Sequence, residues 1–337
     1  MKNPRAAHNF QGRTCSITGV GHYVPEKVLT NADLEKLVDT TDEWITTRTG
    51  IKERRIAAAN EFTSDLATSA ARRAMQMAGV TADKINLIIV ATLTPDMPFP
   101  STACLVQRKI GALNAAAFDI EAACSGFIYA LEIGMQFITS RTYETVLVIG
   151  AEKLSSIVNW KDRNTCVLFG DGAGAAILQN RPDSHGLLTA VMGADGNKAD
   201  LLSMPGGGSA CPATQESVAQ GLHYLRMDGK ETFKNAVNAM VSAANEAMRR
   251  CDVDITKIKC VIPHQANQRI ISAVGERLGT TEDQLFVNLH KYGNTSAASV
   301  AIALDEAVAS GKIARGELIL LVVFGAGLTW GAAVIEW

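Results

Sequence analysis

The chain of 337 residues has 47% apolar and 20% charged side chains and a net charge of −2, a composition suited to a globular core of one large or two medium domains. A charge so close to zero excludes a general basic field for nucleic acid or anionic membrane, and leaves only local contact surfaces. The apolar run LILLVVF at 318 to 324 falls far short of the ~18 residues that span a bilayer, and seven cysteines without a C-x-x-C pair point to a reducing cytoplasm rather than a disulfide framework.

Residues 1–12 hold charge and a proline but no apolar stretch, and read as a frayed leader rather than a secretory signal. Short β-branched runs then alternate with helix-period segments. Strands are expected at 15–21, 85–94, 116–122, 145–152 and 174–180, with a helix over 62–79 that Ser64 and Asp65 can cap and Gly79 can end. The series then restarts, with strands at 187–194, 258–264, 285–290, 318–327 and 331–337 and a helix over 230–252 in the matching place. FGDGAGAAIL (169–178) and FGAGLTWGAAVIE (324–336) echo each other, and each closes its half. The repeats imply an α/β fold of two similar halves, 13–183 and 184–337, packed as one unit with a site where strand ends converge. The pseudo-boundary falls near 181–186, and a loop-rich insertion is expected at 204–221.

Three residues carry the chemistry. Cys124, in FDIEAACSGFIYALEIGMQFI, lies after a strand and at the start of a helix, where unpaired N–H groups and the positive dipole end favour thiolate over thiol. Its small neighbours allow a sharp turn and close substrate approach. The other six cysteines lack this setting and are assigned structural roles. His264 ends a second-half strand before an amphipathic helix; no carboxylate or second histidine stands at metal-ligand spacing from it, which excludes a zinc site. Asn294 sits in HKYGNTSAAS, where it can cap a helix, and the glycine-rich turn FGAGLTWGAA can aim backbone N–H groups at an oxyanion. GVGHYVP and GDGAGA both miss the G-x-G-x-x-G spacing, so neither a dinucleotide nor a Walker site is expected.

Taken with TDEWITTRTGI, PFPSTAC, AACSGF, LFGDGAGA, PHQANQRI, GNTSAAS and FGAGLTWG, these residues make the chain resemble the thiolase-fold condensing enzymes, and within them the β-ketoacyl-ACP synthase III family, over about residues 13–337. The resemblance implies two duplicated βα half-domains in a layered αβαβα core. It places the nucleophile on Cys124, its partners on His264 and Asn294, and the oxyanion N–H groups on Cys124 and Ala326. It puts CoA and pantetheine contacts on Trp44, Arg48, Arg163, Asn267 and Phe233. Carrier-protein contacts fall on Gln265, Ala266, Asn267, Gln268 and Arg269, with Lys234 also facing the carrier's acidic helix. Phe99 matches a residue that crosses a dimer interface to line the acyl pocket. The chain departs from the family at Ala326, the middle of three usual glycines, and at Glu276 beside Arg277, where basic residues are common.

The resemblance further implies an acyltransferase that joins an acyl-CoA primer to malonyl-ACP with loss of CO₂. It would work in the cytoplasm as a homodimer, with no cofactor, no metal, no nucleic acid and no membrane insertion. A papain-like hydrolase shares the Cys, His, Asn order but needs a CGSCW setting that is absent. A thiolase needs a second late cysteine, and none follows Cys260. An elongating ketosynthase has His where Asn294 stands. A ketosynthase of polyketide or quinolone metabolism shares all three residues and is the competing reading.

Overall fold

A computed structural model of the chain describes residues 15–181 and 186–337; the expected leader at 1–12 and the join at 183/184 lie outside them. The first half builds a five-stranded sheet from β1 (Cys15–Tyr23), β2 (Leu87–Ala91), β3 (Ala116–Ile120), β4 (Thr145–Glu152) and β5 (Gly172–Asn180), in the order β1-β5-β4-β2-β3. The second half builds a four-stranded sheet from β6 (Leu187–Ala194), β7 (Ile258–Pro263), β8 (Leu318–Gly325) and β9 (Thr329–Glu336), in the order β7-β8-β9-β6. Strand directions match position by position. β5 runs antiparallel to both neighbours, as β9 does, and β2 runs parallel to β4 as β7 does to β8. The two echoed glycine-rich segments thus feed equivalent strands, β5 and β9.

Five long helices complete the layers: α1 (Thr63–Ala78), α2 (Gly126–Thr139), α3 (Gly229–Arg250), α4 (Gln268–Leu278) and α5 (Ala298–Ala309). Period-two alternation decides what each strand face meets. Leu87, Ile89 and Ala91 of β2 join Ile319, Leu321 and Val323 of β8 around Phe127 and Leu131 of α2 and Val300 and Leu304 of α5. Ile88 and Val90 point the other way, onto Leu66, Ala70 and Ala74 of α1. Leu320, Val322 and Phe324 face Val237, Met240 and Ala244 of α3 and Val274 of α4. The result is α1, sheet, α2 with α5, sheet, α3 with α4: five layers, each sheet buried on both sides. Burial of each large apolar side chain here contributes about 1.5–3 kcal/mol, and the all-apolar strands need both covers.

Two expectations change. The strand expected at 285–290 forms only a single parallel bridge between Leu285 and Val261. The buried Gln265 side chain takes the backbone N–H groups of Asn288 (2.9 Å) and Leu289 (3.2 Å), which draws the segment out of the ladder and into the short helix Leu289–Tyr292. At α1, Asp65 accepts the Phe62 N–H (3.0 Å) and Gly79 ends the helix at φ +65°, but Ser64 does not cap. Its N–H and hydroxyl instead donate to the Asp96 carboxylate, at 2.7 and 2.6 Å.

Candidate active site

β3 ends three residues before Ala123, which takes φ +44°, a left-handed conformation costly for a residue with a Cβ. Glu121 Oε1 holds its N–H at 2.7 Å. This kink turns the chain from strand into α2 within a few residues and presents Cys124, a residue 5% exposed, at the apex. Gly325, at the end of β8, lies flat against the turn: a Cβ there would stand 2.7 Å from the Cys124 nitrogen and 3.1 Å from that of Ser125. The Cys124 and Ala326 N–H groups reach no backbone carbonyl, and Ala326 is not at positive φ, so alanine there leaves the backbone unstrained. Thr329 Oγ1 lies 3.0 Å from the Ala122 carbonyl and 2.9 Å from that of Ala326 and ties the two turns together.

His264 follows β7 and is anchored by its N–H to the Val322 carbonyl (2.7 Å). Its Nδ1 lies 2.6 Å from Ser299 Oγ on α5, and full burial pushes its pKa down to about 4, so the ring is a neutral imidazole at physiological pH. Asn294 is held by the opposite half: its N–H donates to the Leu168 carbonyl (2.8 Å) and its carbonyl accepts from the Gly170 N–H (3.0 Å). Gly293 turns the chain into this position at φ +64°, and a Cβ on it would meet the Leu168 carbonyl oxygen at 2.7 Å. Asn294 Oδ1 accepts the Ser296 N–H at 2.8 Å, which leaves the amide NH₂ as the free end. Each glycine-rich echo therefore supports the other half's residue: FGDG holds Asn294, and FGAG backs Cys124.

Cys124, His264 and Asn294 line one cavity of about 370 Å³, whose other walls include Phe169, Met240, Ile270 and Phe324. Trp44, Arg48, Phe233, Ala266 and Asn267 line the same cavity. Trp44 carries two guanidinium groups on its ring, Arg48 at 4.6 Å and Arg163 at 5.4 Å. Asn267 donates to the Arg48 carbonyl (3.1 Å) and caps α4 through the Arg269 N–H (2.8 Å). Arg269 is exposed and lies over the Phe233 ring at 6.0 Å. Lys234 is exposed on a neighbouring groove beside Lys198 and Asn238.

Two expectations need correction. The helix N-terminus was expected to favour the Cys124 thiolate; burial outweighs it and pushes the thiol up to about 12. Gln265, expected at the carrier surface, is 1% exposed and bonds the Pro263 and Phe286 carbonyls. Phe99, expected to cross to a partner subunit, is 84% exposed and lies outside this chain's own cavity. Sequence reasoning also passed over Ser296 and Ser299, although both lie in the quoted GNTSAAS motif, and Glu152, which closes the TVLVIGAE strand.

A five-layered, duplicated α/β fold with a buried cysteine on one half and a histidine and asparagine on the other is the architecture of the thiolase-fold condensing enzymes. Residues 118–196 match the family model described as 3-oxoacyl-[acyl-carrier-protein (ACP)] synthase III, and residues 248–337 match the model of its C-terminal part. The chain is 59% identical over 321 residues to the β-ketoacyl-[acyl-carrier-protein] synthase III of Caldanaerobacter subterraneus subsp. tengcongensis, covering 95% of this chain and 97% of that one. Its fold superposes with a TM-score of 0.89 on the crystal structure of 3-oxoacyl-[acyl-carrier-protein] synthase III from Aquifex aeolicus VF5, at 51% identity over 96% and 100% of the two chains. The priming β-ketosynthase of the R1128 polyketide biosynthetic pathway has the same TM-score of 0.89 at 36% identity, over 96% of each chain. The chain belongs to the 3-oxoacyl-[acyl-carrier-protein] synthase III family.

Proposed function

We propose that the chain condenses an acyl-CoA primer such as acetyl-CoA with malonyl-ACP to give 3-oxoacyl-ACP, CoA and CO₂, the initiating step of type II fatty-acid synthesis. The observation that carries this reading is a single cavity with a nucleophile and two neutral donors in its wall, together with an aromatic and cationic cluster at Trp44. Cys124 attacks the acyl-CoA thioester while the Cys124 and Ala326 N–H groups hold the oxyanion. CoA leaves, and malonyl-ACP takes its place. Decarboxylation then yields an enolate whose oxygen receives hydrogen bonds from His264 Nε2–H and the Asn294 amide, and its carbon attacks the acyl-enzyme. The Nε2–H tautomer requires Nδ1 to accept, which Ser299 Oγ–H allows.

Trp44, Arg48 and Arg163 suit an adenine ring and phosphates, Asn267 and Phe233 a pantetheine arm, and Arg269 with Lys234, Ala266 and Gln268 an acidic carrier surface. Among the described residues no helix is long and apolar enough to cross a membrane and no cluster of three or more His, Cys, Asp or Glu is placed to hold a metal. Both substrates are thioesters, so the reading calls for no cofactor. It includes a cytoplasmic homodimer in which the exposed Phe99 reaches the partner's acyl pocket. Identity of 51–59% to curated β-ketoacyl-[acyl-carrier-protein] synthase III relatives, against 36% to the polyketide priming enzyme, disfavours the specialised-metabolism alternative.

The test is incubation with labelled acetyl-CoA and malonyl-ACP. An acetyl adduct on Cys124 by mass spectrometry and labelled 3-oxoacyl-ACP are expected; absence of both overturns the reading, and substitution of malonyl-CoA separates the specialised alternative. Trp44→Ala should raise the KM for acyl-CoA about tenfold with kcat for acylation unchanged. Steady-state kinetics checks this, and a fall in kcat alone would count against a binding role.

A further inference from the structure

A buried thiol with a pKa of about 12 must lose its proton as it attacks, and the mechanism above names no acceptor. His264 Nδ1 is engaged by Ser299, and its Nε2–H is a donor in the second half-reaction. A carboxylate lies behind the cysteine. Glu152, the last residue of β4, is fully buried and forms no ion pair among the described residues. Its Oε2 accepts from Thr92 Oγ1 (3.2 Å), from the N–H groups of Leu93 and Thr94 (both 3.2 Å) and from Thr94 Oγ1 (2.5 Å).

Ser296 stands between that carboxylate and the sulfur. It takes φ +49°, a strained conformation for serine that persists only where the surroundings impose it. The following residue, Ala297, packs its Cβ toward Gly126, two residues after Cys124, and its carbonyl against Gly150, two residues before Glu152. The Ser296 hydroxyl is buried and has no hydrogen-bond partner in the resting chain, and it is near enough to the Cys124 thiol and the Glu152 carboxyl to lower the pKa of each.

We propose that Glu152, reached through the Ser296 hydroxyl, takes the Cys124 thiol proton as the acyl-enzyme forms and returns it when Cys124 leaves in the condensation. The proposal rests on Cys124 being the acyl carrier. In the first half-reaction the Cys124 S–H bond and the acyl-CoA C–S bond break and a new S–C bond forms. Ser296 receives the thiol proton and passes its own to Glu152, and CoA departs as a thiolate that takes a proton from water. In the second, attack of the enolate carbon expels the Cys124 thiolate, which recovers its proton by the same path. Glu152 ends unchanged, and each cycle consumes one solvent proton, as decarboxylation of a malonyl carboxylate requires.

Burial raises the Glu152 pKa to about 7, where a carboxyl can both take and give a proton near neutrality. Few other charges face the path. Glu121 holds the Ala123 N–H, Lys153 turns its ammonium to the Ala58 and Glu61 carbonyls, Asp171 accepts from Ala57 and Ser155, and His264 is neutral.

Acetyl-CoA alone is mixed with the enzyme at pH 7.5 in weak buffer containing an indicator dye, and the Cys124 adduct is counted by mass spectrometry. The native enzyme should take up solvent protons transiently, at most one per subunit, as the CoA thiolate is protonated, and give them back as Glu152 ionises again. Glu152→Gln and Ser296→Ala should acylate roughly 10²-fold more slowly and without that uptake, whereas Glu152→Asp should restore it. An unchanged acylation rate in Glu152→Gln overturns the relay and leaves Cys124 as acyl carrier. Absence of any adduct in the native enzyme overturns the relay together with the reading beneath it.

Discussion

Cys124→Ala should lower the overall condensation rate by roughly 10⁴-fold or more, because without a nucleophile no covalent intermediate divides the reaction into two accessible steps. The alanine removes only a sulfur from a nearly closed pocket, and the elbow at Ala123 is set by its own backbone and by Glu121, so the fold should persist. Decarboxylation of malonyl-ACP should fall far less, since the two donors proposed for it come from the other half of the chain. The measurements are radiolabelled 3-oxoacyl-ACP formation and release of CO₂ from carboxyl-labelled malonyl-ACP. Retention of a tenth of the condensation rate would remove Cys124 from its assigned role.

His264→Ala and Asn294→Ala should each reduce malonyl-ACP decarboxylation by roughly 10²–10³-fold, the usual loss for one preorganised donor to a developing oxyanion. Transfer of the acyl group to Cys124 should stay within about tenfold of native, and this split between half-reactions is the signature sought. Asn294→Asp should be worse than Asn294→Ala at neutral pH, because a carboxylate would face the enolate, and should recover as acid protonates it. The His264 pKa of about 4 fixes the sign of the native pH dependence. The neutral ring is the competent form, so this group costs no activity between pH 8 and about 5.5 and fails only as pH falls through about 4. A decarboxylation rate that drops with an apparent pKa near 6.5 would show that the ring is not desolvated as the structure has it.

Much of this was legible in the sequence because it depends on local pattern. The alternation of Leu87, Ile88, Ile89 and Val90 forces a strand with two apolar faces whatever surrounds it, and the echo of FGDGAGAA in FGAGLTWGAA announces the repeat before any contact is known. Cys124 was legible from its small neighbours and the helix after it. The strand at 285–290 was misread because its run Leu285, Phe286, Val287 is as β-prone as any other; what denies it a ladder is a glutamine about twenty residues earlier in the chain.

Local pattern also misjudged the cysteine. A helix N-terminus lowers a thiol pKa by a fraction of a charge acting over a few ångströms, whereas burial beneath β8 and the segment from Asn294 to Ala298 removes water altogether, and desolvation wins. The sequence by itself determined the duplicated α/β order and which half Cys124, His264 and Asn294 each come from. Only the tertiary structure decided their protonation, the withdrawal of Gln265 from the surface, the exposure of Phe99 and the nearness of Glu152 to Cys124. These depend on which surfaces the two halves press together, and the dielectric around a group is a property of everything packed upon it rather than of its neighbours in the chain.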